Sequence, residues 1–331
     1  MATLKELAKS LNVSISTVSK ALNDADDIGE ETKKRVKELA ATLDYKPNKF
    51  ALGLKTKHSK SIGVILPDIQ NPYFAEVLYG IEKAALDAGF DTLICVSNES
   101  YQQEVKSVRM LTENLVDGII ISIAKETLNL KDFQHLEKLK SKKIQLVQFD
   151  RVSPNLACDS VQIDDQESVK NATQQLIDTG KKHIALISGL GSLNVAKNRI
   201  QGYKAALREN GISKHIKILE VDHIEKTHVQ FKNFIQQNTF DAVISIDNKS
   251  GIIFQNILQH QFPERFENVK IISFIHEKDA LLTSPPLNYI NQRGAEIGAI
   301  SFNLLKERIL LKEDETKNPV HEKVIASINF Q

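Results

Sequence analysis

The sequence predicts a multi-domain protein: an all-α three-helix head with a hinge helix, then an α/β core of two doubly wound parallel-sheet subdomains. Residues 3–43 hold three short amphipathic segments. From residue 61 onwards, apolar strands alternate with amphipathic helices in two successive series, a pattern typical of parallel sheets covered by helices on both faces. A length of 331 residues leaves room for two or three such domains.

The first helix is predicted from an N-terminal capping box and from apolar residues at helical spacing. Thr3 and Glu6 have the Ser/Thr-x-x-Glu spacing of a capping box. The apolar residues that follow fall at i, i+3, i+4 and i+7, which indicates one buried helix face; they are Leu4, Leu7, Ala8 and Leu11.

A second helix begins after Ser14, a favourable N-cap, with Val13 and Val18 at staple positions. One helix face is apolar, and the opposite face carries Ser16, Ser19, Lys20 and Asn23. A short hydrogen-bonding outer face on a helix packed against a preceding helix suits the reading of a DNA major groove. The alternative for this stretch alone is an ordinary helical hairpin with a solvated face.

A third helix opens at Gly29 and Glu30, and its apolar positions are Val36, Leu39, Ala40 and Leu43. The head is predicted to span 1–46, since Pro47 disfavours helix at the residue before it. Residues 47–60 are assigned to a hinge and linker. The segment 48–55 is short and contains a glycine, so it is either a plain linker or a helix that forms only when bound.

The core is predicted to span 61–331, and its two successive series predict two α/β subdomains. Their boundaries, about 61–162 with 291–320 and about 163–290 with 321–331, follow from the family resemblance described below. The predicted strands are 62–66, 91–96, 118–123, 144–149, 184–187, 216–219, 242–246 and 270–275. The predicted helices are 74–88, 102–115, 130–139, 165–178 and 197–210.

Polar residues follow the predicted strands, where ligands bind in such folds. They are Asp68, Asn71, Tyr73, Asn98, Asp150, Arg151, Asn194, Arg199, Asp247, Asn248 and His276. Amides, carboxylates and guanidinium groups hydrogen-bond vicinal hydroxyls, and aromatic rings stack on an apolar ring face. Each residue singly could instead be a helix cap or turn former.

Catalytic signatures are missing from the sequence: Walker A, H-E-x-x-H, G-x-S-x-G and C-x-x-C motifs do not occur. Gly189-Leu-Gly191 follows a strand, but the third glycine of the dinucleotide fingerprint is Asn194. We therefore predict no enzyme activity, no catalytic residues, no cofactor and no metal site.

Charge is distributed unevenly, because residues 1–60 carry a formal +4 and the remainder −3. A basic head on a mildly acidic body suits a polyanion at one end only. The N-terminus has no apolar signal region and no run of about 18 apolar residues occurs, so we expect a cytoplasmic protein without membrane contact.

The chain resembles the LacI/GalR family of bacterial transcriptional regulators over essentially its whole length. The resemblance rests on the residues of the head, on Tyr45-Lys-Pro-Asn48, and on Ser61-Ile-Gly-Val-Ile-Leu-Pro-Asp-Ile-Gln-Asn-Pro-Tyr-Phe74. Further matches are Val116-Asp-Gly-Ile-Ile120, Phe149-Asp-Arg151 and Arg199-Ile-Gln-Gly-Tyr203.

The resemblance implies a helix-turn-helix head in which Ile15, Ser16 and Lys20 read bases in the major groove. Residues implied near phosphates are Thr3, Ser14, Thr17, Ser19 and Asn23. Asn48 to Lys55 matches the family's hinge helix, and Leu54 matches the leucine that wedges into the minor groove. This chain departs from the pattern at Leu52, where the family commonly has arginine, and Gly53 weakens the helix.

The resemblance also implies a periplasmic-binding-protein-like core that closes on a small molecule. By motif match the cleft residues are Asn71, Tyr73, Phe74, Asp150, Arg151, Arg199, Asp247 and Gln292. Two departures put the ligand's identity in doubt: Ile275 stands where the family often has a carboxylate, and Asp247-Asn248 stands where Asn-Asp is frequent. A sugar or sugar derivative is the expected effector.

The implied mechanism is coupling between two sites. A homodimer would bind a pseudo-palindromic operator, and effector binding would change whether the two hinges can order side by side. A dimer is expected rather than a tetramer, because no heptad-like tail follows the last strand near 323–328. The sign of the effector response stays open, as do two alternative functions: a sugar-binding transport protein and a dinucleotide-dependent enzyme.

Overall fold

The computed structural model describes residues 3–22, 24–43, 45, 59–191, 193–221, 224–311 and 317–330, excepting the side chains of 224–226. The chain divides into two compact units, Met1–Ser59 and Lys60–Gln331. The predicted hinge helix, with Asn48 and Leu54, lies outside the described residues, as does Asn23.

The head contains three helices, α1 (Leu4–Leu11), α2 (Ile15–Leu22) and α3 (Glu30–Thr42). The predicted capping box at Thr3 and Glu6 is confirmed, with both reciprocal hydrogen bonds present. Ser14 caps α2, because its Oγ accepts the Thr17 amide at 3.0 Å. Asn12 ends α1 in the left-handed conformation with φ of 52°, which turns the chain tightly into α2.

The apolar stripes of the three helices meet in one small core. Its buried members are Leu7, Ala8, Val18, Ala21, Val36 and Ala40. Because these side chains fill the centre, the opposite face of α2 is left towards solvent. The predicted all-α head is therefore confirmed.

The second unit contains all strands that the described residues form. They are β1 (Ser61–Leu66), β2 (Asp91–Val96), β3 (Gly118–Ile121), β4 (Gln145–Phe149), β5 (Asp159–Ile163), β6 (Ile184–Ser188), β7 (Lys217–Glu220), β8 (Ala242–Ser245), β9 (Lys270–Phe274), β10 (Asn288–Asn291), β11 (His321–Val324) and β12 (Ser327–Asn329). Its α-helices are α4 (Pro72–Asp87), α5 (Tyr101–Glu113), α6 (Lys125–Leu130), α7 (Gln134–Ser141), α8 (Asp165–Asp178), α9 (Asn194–Glu209), α10 (Ile224–Gln237), α11 (Asn248–Gln261), α12 (Pro263–Phe266), α13 (Glu277–Leu282) and α14 (Gly294–Leu310).

Two six-stranded sheets organise this unit. The first has the order β11-β5-β4-β3-β1-β2 and the second β12-β10-β9-β8-β6-β7. All neighbouring strands are parallel except β10 and β12, which are antiparallel. Strands buried on both faces, such as β3 and β8, read as continuous apolar runs. The predicted α/β core of two doubly wound sheets is confirmed.

The chain passes between the two sheets three times, after β5, after β10 and after β11. The predicted subdomain boundary at residue 321 is wrong, because β11 (321–324) pairs with β5 in the first sheet. Only β12 (327–329) joins the second sheet. Pairing partners of a short terminal strand depend on which edge is free, and the sequence pattern does not contain that information.

Other predictions also need correction. The helix predicted at 130–139 is two helices, α6 and α7, because Lys131 is left-handed with φ of 55° and ends the first. The sequence reading missed β5, whose Asp159 and Ser160 break the apolar run. It also missed α10 and α11, which follow the correctly placed strands β7 and β8, as well as β10 and the helix α14 after it.

Candidate DNA-reading face and ligand cleft

The exposed face of α2 carries the three residues that the sequence assigned to base reading. Ile15 is 48 % exposed although it is a large apolar residue, and Ser16 and Lys20 are also exposed. About half of the Ile15 surface is therefore left uncovered by the head itself. It is available for contact with an apolar group such as a thymine methyl.

The polar side chains around this face are held by local contacts. Ser14 and Thr17 share a hydrogen bond between their hydroxyls of 2.8 Å, while Thr3 bonds within its own capping box. The Lys20 ammonium forms an ion pair with Asp27. This contact lowers the pKa of the Asp27 carboxyl below its usual value. In the absence of DNA, the Lys20 ammonium therefore has the Asp27 carboxylate as its partner.

A cavity of about 60 Å³ lies between the two subdomains and is lined by residues of both. All eight side chains that the sequence placed in the cleft line it: Asn71, Tyr73, Phe74, Asp150, Arg151, Arg199, Asp247 and Gln292. The other lining residues are Leu190, Leu193, Val195, Asn248, Phe274, Ile275 and His276. The strand ends converge here because the carboxyl edges of both parallel sheets face this cavity.

The corner after β1 is fixed by a helix cap. Asn71 Oδ1 accepts the Tyr73 amide at 3.1 Å and starts α4, with Pro72 at its first position. This places the Tyr73 and Phe74 rings side by side, with centroids 5.2 Å apart. Phe74 is buried in the core, so the corner is rigid and presents an aromatic wall to the cavity.

Asp150 and Arg151 follow β4 in a strained turn. Asp150 has a positive φ of 56°, and its carbonyl accepts the Gln162 side-chain amide at 2.8 Å. The Arg151 guanidinium donates from Nη1 to both carboxylate oxygens of Glu99, at 2.7 and 2.6 Å. Glu99 was not among the predicted site residues. No local pattern pairs Glu99 with Arg151, because 52 residues separate them.

Arg199 is anchored on three sides within the second subdomain. Its Nε donates to Asp165 Oδ1 at 2.7 Å, and its Nη1 donates to the Ile246 carbonyl at 2.8 Å. The guanidinium carbon lies 3.8 Å from the centroid of the Phe274 ring, a cation–π contact. Asp165, also absent from the predicted site, is the first residue of α8, two positions after the end of the missed strand β5. Had that strand been recognised, Asp164 and Asp165 would both have joined the strand-end residues.

Burial is the main cause of the raised pKa values of Asp165, Asp150 and Tyr73 in the cleft. Burial raises the pKa of the Asp165 carboxyl from 3.8 to about 6, the bonded Arg199 opposes the rise, and the Asp150 charge adds to it. Burial likewise raises the pKa of Asp150, against the pull of Arg151 and Arg199. The Tyr73 pKa lies well above its usual value because of burial and then the Asp150 charge. The two arginines therefore do not fully offset the cost of burying the Asp150 and Asp165 carboxylates.

The Asp165 shift predicts a pH dependence of stability. The Asp165 pKa is about 6 in the folded chain and 3.8 as the ordinary value of the unfolded chain. Between pH 3.8 and 6 the folded chain therefore binds the proton more tightly. This group therefore destabilises the fold above about pH 6, and its cost is relieved as the pH falls. When the pH is lowered from 7 to 5, we expect the free energy of unfolding of wild type to rise, relative to that of Asp165→Asn, by at least about 1 kcal/mol. Urea unfolding of both proteins at pH 7, 6 and 5 measures it. Parallel pH profiles would contradict the prediction.

Asp247 and Asn248 have different roles. The Asp247 carboxylate accepts the Ser250 amide at 2.9 Å, capping α11, and the Gly189 amide at 2.6 Å. Asp247 thus ties two loops together at the cavity wall, and its oxygens are already engaged. Asn248 instead has a buried, unpartnered Oδ1 at the cavity.

The cavity contains further unpartnered polar atoms. Tyr73 Oη and Arg151 Nε are buried and have no hydrogen-bond partner among the described residues. Buried polar atoms are normally satisfied, so a group of orphaned atoms around one cavity indicates where a ligand or water would bond. Opposite them, His276 of the second subdomain lies 3.8 Å from Glu76 of the first.

Two kinds of feature are absent from the part of the chain that the structure describes. None of the described helices is long and apolar enough to cross a membrane. Within the same residues, no group of three or more His, Cys, Asp or Glu side chains could hold a metal ion.

Comparison with known proteins identifies the class of both units. Residues 3–48 match the family model described as bacterial regulatory proteins, lacI family. Residues 59–325 match the model described as periplasmic binding proteins and sugar binding domain of LacI family. The chain is thus a DNA-binding regulator with a periplasmic-binding-protein-like core, and it belongs to the LacI family of bacterial transcriptional regulators.

Curated relatives agree with this assignment. The chain is 31 % identical over 323 residues to the HTH-type transcriptional regulator RegA of Clostridium saccharobutylicum, covering 96 % of each chain. It is 29 % identical over 316 residues to catabolite control protein A of Priestia megaterium, covering 92 % of this chain and 91 % of the relative.

A solved structure of the lac repressor dimer bound to operator and the anti-inducer ONPF has the same fold. Its TM-score is 0.83 at 20 % identity, covering 99 % of this chain and 97 % of that one. The complex of the transcriptional regulator CelR with cellobiose has a TM-score of 0.69 at 22 % identity, covering 100 % and 99 %. At these identities the likeness concerns the fold alone.

Proposed function

We propose that this chain is a ligand-responsive repressor of carbohydrate-utilisation genes that acts in the cytoplasm as a homodimer. Ile15, Ser16 and Lys20 contact bases of a pseudo-palindromic operator in the major groove, and Leu54 contacts the minor groove. Thr3, Ser14, Thr17, Ser19, Asn23 and Asn48 contact or lie near the DNA backbone. A sugar-like effector in the cleft alters the ordering of the hinges.

One observation carries this proposal: a cavity lined by residues of both subdomains lies in a chain with a DNA-binding head. A ligand that bridges both subdomains favours one relative arrangement of the two, because it bonds to each. Such a change is transmitted to the heads through the hinge segment, which gives coupling between two separate sites. Relatives whose structures contain an operator, cellobiose or ribose fit this scheme.

The DNA-reading assignment is tested with Lys20→Ala. We expect weaker binding to pseudo-palindromic DNA from upstream of its own gene, by about 1–2 kcal/mol, because a base-contacting side chain is lost. Fluorescence anisotropy at fixed salt measures the effect. Lys34→Ala removes an exposed lysine from α3 and serves as the control, with little expected change. Equal binding by Lys20→Ala and wild type, or no binding by wild type at low salt, would disprove the assignment.

The cleft assignment is tested with Arg151→Ala. We expect a sugar that raises the melting temperature of the wild type to lose this effect in the variant, because Arg151 lines the cavity and offers it an unpartnered Nε. Operator affinity without sugar should stay unchanged. A thermal-shift screen over sugars identifies the ligand, since a bound ligand stabilises the folded state by mass action. A normal response by Arg151→Ala would show that the site lies elsewhere.

A further inference from the structure

The charges in the cleft restrict the ligands that it can accept. Two arginines line the cavity, and arginine is the side chain that binds phosphate or carboxylate most readily. Both guanidinium groups, however, already bond to a carboxylate of this chain. Arg151 is held by Glu99 through two bonds, and Arg199 is held by Asp165.

Further carboxylates make the balance negative. Asp150 and Asp247 line the cavity as well. Together with Glu99 and Asp165, four carboxylates accompany the two guanidinium groups among the described residues of the cleft. The His276 and Glu76 pair at 3.8 Å adds no net positive charge even when the imidazole is protonated. An anionic ligand would therefore meet repulsion that no free cation of the described cleft offsets.

The unpartnered atoms have the pattern that hydroxyl groups satisfy. Arg151 Nε offers a donor, Asn248 Oδ1 offers an acceptor, and Tyr73 Oη can serve as either. A hydroxyl both donates and accepts, so one polyol can satisfy all three atoms. A carboxylate or a fully ionised phosphate ester group only accepts and cannot pair with Asn248 Oδ1.

We propose that the effector is an uncharged polyhydroxy compound, and that Glu99 is the residue that excludes phosphorylated and carboxylated analogues. This proposal rests on the cleft being the effector site. Glu99 acts by neutralising Arg151 and directing its Nη1 away from the ligand. The Glu99 carboxylate also accepts the Lys125 amide at 2.8 Å, which holds it in place. Selection against anions is thus a property of a residue that does not itself line the cavity.

The test uses inorganic phosphate as the probe and the full-length protein. Isothermal titration at constant ionic strength, balanced with chloride, compares wild type with Glu99→Gln. We expect no phosphate binding in the cleft of wild type up to the highest concentration titrated, and binding by Glu99→Gln with a Kd at least tenfold below that concentration. The double variant Glu99→Gln/Arg151→Ala should lose the gain. Glu113→Gln, which removes a carboxylate bonded to the exposed Arg109, is the matched control and should behave like wild type.

Two results would overturn the proposal. One is phosphate binding by wild type that Arg151→Ala abolishes, and the other is no gain in either Glu99→Gln or a second variant, Glu99→Ala. Ribose with ribose 5-phosphate, and glucose with glucose 6-phosphate, provide paired ligands. The proposal would also be rejected if, within one pair, the sugar phosphate raised the melting temperature of wild type and the uncharged sugar did not. The Lys20→Ala comparison on operator DNA is independent of these measurements, so failure of the regulator function would be recognised separately.

Discussion

Arg199→Ala is expected to lower the free energy of unfolding of the core by about 3–5 kcal/mol, because it leaves the buried Asp165 charge without its partner. The Asp165 carboxylate is only 4 % exposed, and burial already raises its pKa to about 6 with the arginine present. The substitution also removes the bond to the Ile246 carbonyl and the contact with the Phe274 ring. Urea unfolding of the full-length chain at pH 7 measures the loss.

Two further variants separate the causes. Adding Asp165→Asn to Arg199→Ala removes the uncompensated charge and should recover part of the stability. A further loss in that double variant would contradict the argument. Arg308→Ala breaks a comparable buried pair with Asp159, whose bonds are 2.6 and 2.7 Å, and should also destabilise the core. Because Arg308 is not among the cavity-lining residues, ligand binding by the folded fraction of Arg308→Ala should be normal.

Gly298→Val is expected to cost about 3 kcal/mol or more, because two helices approach too closely there for any side chain. A Cβ at Gly298 would lie 2.1 Å from the Val77 carbonyl oxygen, and one at Gly80 would lie 2.0 Å from the Ala295 carbonyl oxygen. These atoms are backbone and cannot rotate away. The helices 72–87 and 294–310, which pack directly on each other, would have to separate and open the core of the first subdomain.

Asn303→Val is the matched control for this substitution. Asn303 is exposed on the same helix, so valine there changes only helix propensity, by a few tenths of a kcal/mol. Thermal or urea unfolding of both variants, with far-ultraviolet circular dichroism, gives the comparison. Equal stability of Gly298→Val and Asn303→Val would show that the helices can move apart at little cost.

Much of the fold follows from local pattern. The Thr3–Glu6 spacing determined the start of the first helix, and the alternation of apolar strands with amphipathic helices determined the class of the core. Where local pattern was interrupted, prediction failed. Asp159 and Ser160 hid the strand at 159–163, and Lys131 adopted a left-handed conformation that nothing in its side chain demands.

Membership of the cleft could also be predicted from the sequence, whereas its electrostatics could not. All eight side chains that the family resemblance implied line the same cavity. The strand-end pattern alone was less selective, because Asp68, Asn98 and Asn194 also follow strands and do not line it. Which of their charges remain available depends on partners such as Glu99 and Asp165, which are 52 and 34 residues away from the arginines they bond. Only the packed loops bring these groups within hydrogen-bonding distance. The sequence by itself therefore determined the architecture and the location of the two candidate sites. The tertiary structure alone decided how the cleft is charged, because Coulomb and hydrogen-bond energies depend on distances between residues remote in sequence.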